Sequence, residues 1–210
     1  MRKGLIAGAA AAGAALVGGA AIYYLREKAT EEPDYRPLRS DGDFQIRAYP
    51  AITVAETVAH GPRKDALGAA FNVLADYIFA KSRDGEPLAM TVPVMQDGGD
   101  PMATDPPLFD DELGVAGWRT RFVMPEGRTA DDLPEPSDKV ELIELPARRV
   151  AVVSFSGRAD DRLLATQEDR LRGWLARIGE GAQGEPEYAF YNSPMIPGPL
   201  RRNEIWLALG

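Results

Sequence analysis

The 210-residue chain contains no cysteine and a single histidine, His60. Disulfides, thiolate metal sites and cysteine nucleophiles are thereby excluded, and a Cys/His dyad or histidine-rich metal cluster cannot be assembled. Compartment stays open, because a cysteine-free protein is compatible with either redox environment. Positive charge is scarce as well. Twenty-four basic residues face 32 acidic ones, a net charge of −8 that residues 1–34 do not alter, since they carry four of each sign. Nucleic-acid binding is dominated by phosphate neutralisation, so no nucleic-acid partner is expected. Phosphate-loop context is missing too: the glycines of Asp97-Gly98-Gly99-Asp100 do not link a strand to a helix. The acidic pairs Asp110-Asp111 and Asp131-Asp132 fall in turn-rich stretches, where solvation explains them without acid/base roles. No catalytic residue and no metal ligand set is expected.

What is present suits a globular domain with an appendage. Hydrophobic residues make up 45% and charged residues 27%, enough for a packed core. Met1–Lys3 is basic, and Leu5–Leu25 is an uncharged stretch of 21 residues. As a helix this stretch spans about 31 Å, enough to cross a bilayer. Its alanine- and glycine-rich composition makes insertion marginal. Tyr23 and Tyr24 beside Arg26 and Lys28 suit an interfacial anchor, while the small residues near Ala20-Ala21 also suit a cleavable export signal. Residues 1–28 are therefore expected to be a membrane anchor or signal segment, with an exported domain behind it. Residues 29–37, charged and holding two prolines, are expected to form a linker to a domain at 38–210.

Within that domain the chain repeats itself. Tyr49-Pro50-Ala51, Val54-Ala55 and Gly61 recur 96 positions later as Leu145-Pro146-Ala147, Val150-Ala151 and Gly157. Leu67, Leu74, Tyr77 and Ile78 recur at an offset of 97 as Leu164, Leu171, Trp174 and Leu175. Pro93 answers to Pro194. Two copies, at about 44–95 and 140–195, indicate one pseudo-symmetric domain rather than a solenoid. Alternation places Phe44, Ile46 and Ala48 on one side of a strand and Gln45, Arg47 and Tyr49 on the other. Ile52–Val58, Leu88–Met95, Trp118–Met124, Val140–Leu145, Arg149–Phe155, Tyr188–Tyr191 and Asn203–Leu209 are further strands. Helices are expected after Pro62 and over Asp161–Ile178, the second capped by Gly179. The long stretch containing Gly98, Gly99, Pro101, Pro106 and Pro107 is an irregular insertion. About eight strands and two helices predict an α+β fold, a curved or closed antiparallel sheet carrying two helices, besides the N-terminal hydrophobic helix.

Several dispersed segments, in order, carry a resemblance: Gln45-Ile46-Arg47-Ala48-Tyr49, Leu88-Ala89-Met90-Thr91-Val92-Pro93-Val94, Phe122-Val123-Met124-Pro125, Phe155-Ser156-Gly157, Tyr191-Asn192-Ser193-Pro194 and Arg202-Asn203-Glu204-Ile205-Trp206. Over about residues 35–209 the chain resembles the SOUL haem-binding protein family. The resemblance implies a distorted antiparallel β-barrel of two similar halves, flanked by two helices and also similar to gyrase-inhibitor-like effector domains. It further implies binding of haem or another tetrapyrrole in an apolar groove beside the first helix, without an enzymatic triad. The histidine proposed as axial ligand in the founding member is replaced by Ala48 here, so the resemblance implies haem without a strong axial ligand.

The corresponding site is the first helix: Arg63 and Lys64 for the propionates, and Leu67, Ala70, Phe71 and Leu74 for the apolar wall. The same apolar residues suit a stripe that seals the helix onto the sheet, leaving only its edge to a ligand. His60 is expected to be a solvent-facing turn residue, and Met90 and Met95 to fill core. Arg148, Arg149, Arg201 and Arg202 suit either surface charge or contacts to an anion. Asn203 and Trp206 are expected to be structural, the first satisfying backbone at a strand start and the second buried. Rival functions are a binding module for other amphipathic small molecules, an interaction scaffold that has lost the ligand, and tetrapyrrole modification or breakdown.

Overall fold

The computed structural model describes residues 27–81, 83–98, 109–110 and 115–210, with 109, 110, 115 and 116 as backbone only. Two units separate along the chain, 1–30 and 31–210. Of the first, only the turn at 27–30 is described, closed by the Thr30 N–H donating to the Glu27 carbonyl at 3.2 Å. The expected hydrophobic segment at 5–25 lies outside the described residues. No helix among the described residues is long and apolar enough to cross a membrane.

The described residues of the second unit hold ten strands: β1 (Arg36–Asp41), β2 (Phe44–Tyr49), β3 (Ile52–His60), β4 (Val94–Asp97), β5 (Phe109–Asp110), β6 (Val115–Val123), β7 (Glu141–Leu145), β8 (Arg148–Phe155), β9 (Ala182–Phe190) and β10 (Asn203–Leu209). Helix α1 (Arg63–Ile78) follows β3 and α2 (Asp161–Ile178) follows β8. The hydrogen-bonded order is β1-β2-β8-β10-β9-β4-β6-β3-β7, antiparallel throughout, with β5 attached to β6. From β2 to β7 this order is a palindrome. Exchanging β2 with β7, β3 with β8, β4 with β9 and β6 with β10 reverses it while keeping the chain order of the two halves, with α1 answering to α2, so a pseudo-dyad passes between β9 and β4. Gly61 and Gly157 both take positive φ, 109° and 129°, where β3 and β8 end. At Gly157 the positive φ favours glycine, and a Cβ would in addition displace the tip of the Leu163 side chain, which it would meet at 2.7 Å.

Three expectations need correction. The sheet is not a closed barrel: β1 pairs only with β2 and β7 only with β3. One apolar cluster runs along the helix-free face from Tyr49 of β2 to Ile143 and Leu145 of β7. The run Leu88–Met95 is not a strand until Val94, because its backbone is spent elsewhere. Leu88 N–H donates to the Ile78 carbonyl and Val92 N–H to the Glu31 carbonyl, each at 2.8 Å. The prolines 93 and 194 consequently take different places, one before β4 and the other after β9. Lastly, the stretch expected as a linker is partly built into the sheet, with Glu31 bridging Thr91 and β1 beginning at Arg36.

Helix α2 follows its sequence signals closely. Asp160 caps it by accepting from Leu163 N–H at 2.9 Å, and Gly179 ends it in the left-handed region at φ 74°. Its Leu164, Leu171, Trp174 and Leu175 are buried against Ile46, Ala151, Val153, Ile205 and Leu207. Each such side chain contributes roughly 1.5–3 kcal/mol through burial. Helix α1 buries Ala66, Ala70, Leu74, Tyr77 and Ile78, packing on Ala55 and Phe122. Both helices therefore cover one face of the sheet. Strand alternation turns the other residues to a face without helices, which carries Tyr49, Val54, Met95, Val123, Val150, Val152, Ala189 and Trp206.

Candidate functional site

The residues expected to form a site on α1 divide sharply. Ala70 and Leu74 are 1% and 0% exposed and belong to the core. Arg63 is already engaged. Its guanidinium donates to Asp161 Oδ1 at 2.6 Å, to the Ala159 carbonyl at 3.0 Å and to Gln96 Oε1 at 3.2 Å, near the rings of Tyr188 and Phe190. Gln96, itself fully buried, returns a bond from Nε2 to the Arg63 carbonyl at 3.0 Å. Arg63 and Asp161 are the first residues of the two helices, so this side chain ties the halves together across the pseudo-dyad. Lys64 is exposed, Leu67 is half-buried and Phe71 is 38% exposed while its ring meets Phe122 edge-on at 5.2 Å.

Lys64, Leu67, Gly68 and Phe71 fall at i, i+3, i+4 and i+7 and form one stripe along the helix. Gly68 was not singled out by its sequence context. A Cβ placed there would touch nothing within 4 Å, so the glycine leaves an open step between the cation and the aromatic ring. The stripe offers a flat apolar surface and one positive charge. Axial ligation is a separate matter. Ala48 has no donor atom, Met95 is 0% exposed and Met90 packs against the α1 core. His60 is exposed, and alternation along β3 assigns it with Val54 and Glu56 to the face opposite α1. These residues fit a tetrapyrrole held by its face and by one carboxylate. They do not fit one held through its iron.

The helix-free face holds what the sequence patterns did not reveal. Glu204 of β10, 0% exposed, receives Arg47 Nη1 at 2.9 Å and Nη2 at 3.1 Å, Arg202 Nη2 at 3.0 Å, Ser154 Oγ at 2.9 Å, Tyr191 Oη at 2.7 Å and Trp206 Nε1 at 2.8 Å. Burial alone favours the neutral acid, but Arg47 and Arg202, with the hydrogen bond from Trp206, outweigh it and hold the carboxyl at about 2. Burial and the neighbouring Glu204 push the Tyr191 phenol well above its ordinary range, so it stays a donor. Arg47 also donates to Tyr49 Oη at 3.2 Å, and Arg202 lies 3.8 Å from the centre of the Tyr191 ring.

A second network lies in the other half. Arg121 binds Glu56 at 2.5 Å and Asp97 at 2.7 Å, and Arg119 binds Asp97 at 2.6 Å. Arg148 is paired with Glu187, the Nη2–Oε2 bond measuring 2.8 Å. Arg149 contacts Glu180 and the Gly210 carbonyl, while Arg201 bonds to the Ile196 and Pro194 carbonyls. Asn203 donates to the Gly157 carbonyl at 3.2 Å, and Trp206 is 1% exposed. Among the described residues, no group of three His, Asp or Glu side chains is arranged to hold a metal ion.

The sequence model described as SOUL heme-binding protein matches residues 30–208. The chain belongs to the SOUL haem-binding protein family. The match covers most of the described fold, including both helices and both charged networks. No curated protein matches the sequence. Among solved structures, the C-terminal domain of EcmrR is 13% identical, with 84% of this chain and 98% of that one covered and a TM-score of 0.55. A hydrolase from Listeria innocua is 10% identical over 82% of this chain and 94% of its own, with a TM-score of 0.52. An uncharacterised conserved protein from Listeria innocua is also 10% identical, covering 80% and 92%, with a TM-score of 0.53. At these identities the likeness is one of fold.

Proposed function

We propose that this SOUL-family protein captures haem or a related tetrapyrrole without catalysing its turnover. The observation that carries this reading is the open stripe on α1. Phe71 and Leu67 offer apolar contact, Gly68 lets a flat ligand approach the helix, and Lys64 meets a carboxylate at the rim. Iron stays without a strong protein ligand, so binding is mainly apolar and reversible. Binding rather than turnover is supported by the pairing of Glu56, Asp97, Glu187 and Glu204 with arginines, which among the described residues leaves no buried carboxylate free as a base. A hydrophobic cation is a poorer fit, since Arg47 and Arg202 already neutralise Glu204. The uncharged stretch at 5–25 supports a tethered or exported domain.

Hemin titration of the full chain, followed in the Soret band, tests the proposal. Wild type should show saturable binding at micromolar ligand. Gly68→Leu fills the step and gains roughly 1 kcal/mol of helix propensity, so it should fold at least as well. Its hemin affinity should fall by about 1.4 kcal/mol, one tenfold step. No saturable Soret change, or equal affinity in the two proteins, would remove the α1 site.

A further inference from the structure

The segment Glu31–Tyr35 lies across the helix-free face and contacts the Glu204 cluster. Glu32 places both carboxylate oxygens on Arg202 Nη1, at 2.9 and 3.3 Å. Three residues on, the Tyr35 ring sits 5.3 Å from the Tyr49 ring and 4.2 Å from the Arg47 guanidinium. The segment is fixed at its start, where the Glu126 N–H donates to Glu31 Oε1 at 2.6 Å and the Val92 N–H to the Glu31 carbonyl at 2.8 Å.

Charge explains why these contacts matter. Arg47 and Arg202 bring two positive charges to the single carboxylate of Glu204, so the cluster alone has an excess of one. Glu32 supplies the missing negative charge. The excess sits on Arg202, whose side chain is 39% exposed, and Glu32 itself is 42% exposed. An ion pair this open to solvent holds its partners weakly. Space also remains around the strap. A shallow, largely open depression at the sheet edge is lined by Asp34, Tyr35, Arg36, Ala48, Tyr49 and Pro50. Another, of about 230 Å³, has Glu31–Asp34 as one wall and the Thr91, Arg128 and Thr129 region as the other.

We infer that the helix-free face carries a second binding site, for an aromatic carboxylate, which the chain's own Glu32 and Tyr35 occupy as a stand-in. A ligand there sets its ring where the Tyr35 ring lies, beside Tyr49 and over Arg47, and its carboxylate on Arg202, after the strap swings off. Cation–π contact and a charge-assisted hydrogen bond supply recognition. Glu204 is the buried anchor that keeps both arginines aimed, and it does not touch the ligand. The site lies on the opposite face of the sheet from the α1 stripe, so it stands or falls independently of haem capture.

The test is an NMR titration of the full chain with 2-naphthoate, with 2-naphthylmethanol as the neutral control. A strap closed about nine-tenths of the time weakens apparent affinity about tenfold. The double variant Glu32→Gln, Tyr35→Ala should therefore bind 2-naphthoate about tenfold more tightly than wild type, with shifts centred on Tyr49 and Arg202. Adding Arg202→Gln should abolish that gain, and the neutral alcohol should gain less than about twofold. The amide spectrum reports folding in each case, and the single variant Glu32→Gln, which removes only the surface charge, should give part of the gain. A folded strap variant with unchanged affinity overturns the inference. So does a gain that the alcohol shares in full, or one that survives Arg202→Gln.

Discussion

Two charged networks share the helix-free face, and they are built differently. Around Arg121, two arginines meet two acids, Glu56 and Asp97, each tied on by a short ion pair. Around Glu204, two arginines meet one buried acid and three aromatic side chains, Tyr49, Tyr191 and Trp206. The first network is balanced within itself. The second is balanced only when Glu32 is added from outside the sheet. Similar positions in a pseudo-symmetric fold thus hold a self-contained clasp in one half and an incomplete one in the other.

Breaking the hub of the incomplete network should have the largest effect. Glu204→Gln leaves Arg47, 3% exposed, without its counter-ion, and stripping one partner from a buried pair costs about 3–5 kcal/mol. Urea unfolding should show that loss. Glu56→Gln should cost less, about 1–2 kcal/mol, because Arg121 keeps Asp97 at 2.7 Å. Equal losses in the two variants would erase the distinction between the networks.

Acid should act through the same hub. The Glu204 carboxyl is held at about 2 in the folded chain against an ordinary value of 4.5. A depressed carboxyl contributes stability that is fully present above the ordinary value and is lost as pH falls through the folded one. Wild type should therefore lose on the order of 3 kcal/mol through this group between about pH 4.5 and 2. Thermal unfolding across that window should show a shallower decline in Glu204→Gln than in wild type. Parallel declines would place the acid sensitivity elsewhere.

The smallest effect concerns Thr120 of β6. Its hydroxyl is buried without a hydrogen-bond partner, facing the helices rather than either network. Thr120→Val replaces the unpaired hydroxyl with a methyl group, so stability should stay level or rise by up to about 1 kcal/mol. A clear loss in urea unfolding would mean that the hydroxyl is engaged after all.

How far the sequence foretold these features depends on the kind of signal each one leaves. Helix α2 and strand β10 match their expected bounds, because capping residues and alternation are local properties. Strand β1, Arg-Pro-Leu-Arg-Ser-Asp, is exposed throughout and carries a proline, so no apolar period marks it. Leu88–Met95 is apolar enough for a strand, but its backbone partners, Ile78 and Glu31, come from outside any sheet pattern. On α1 the apolar period correctly separated one face, yet could not say that Arg63 is used up by Asp161 and Gln96. Glu204 escaped for a related reason. Alternation puts Glu204 on the same side of β10 as Trp206, but no local pattern says that Arg47, 157 positions away in sequence, supplies its counter-ion. One available clue was Glu204 itself, a carboxylate set among the apolar residues of Asn203–Leu209.

Capture of a tetrapyrrole along the edge of α1 can be seen as paramagnetic broadening of backbone amide signals when hemin is added to the full chain. Broadening should centre on Lys64, Leu67, Gly68 and Phe71, with Tyr49, Tyr191 and Glu204 on the far face unaffected. Broadening centred on those far-face residues, or none at saturating hemin, would contradict it.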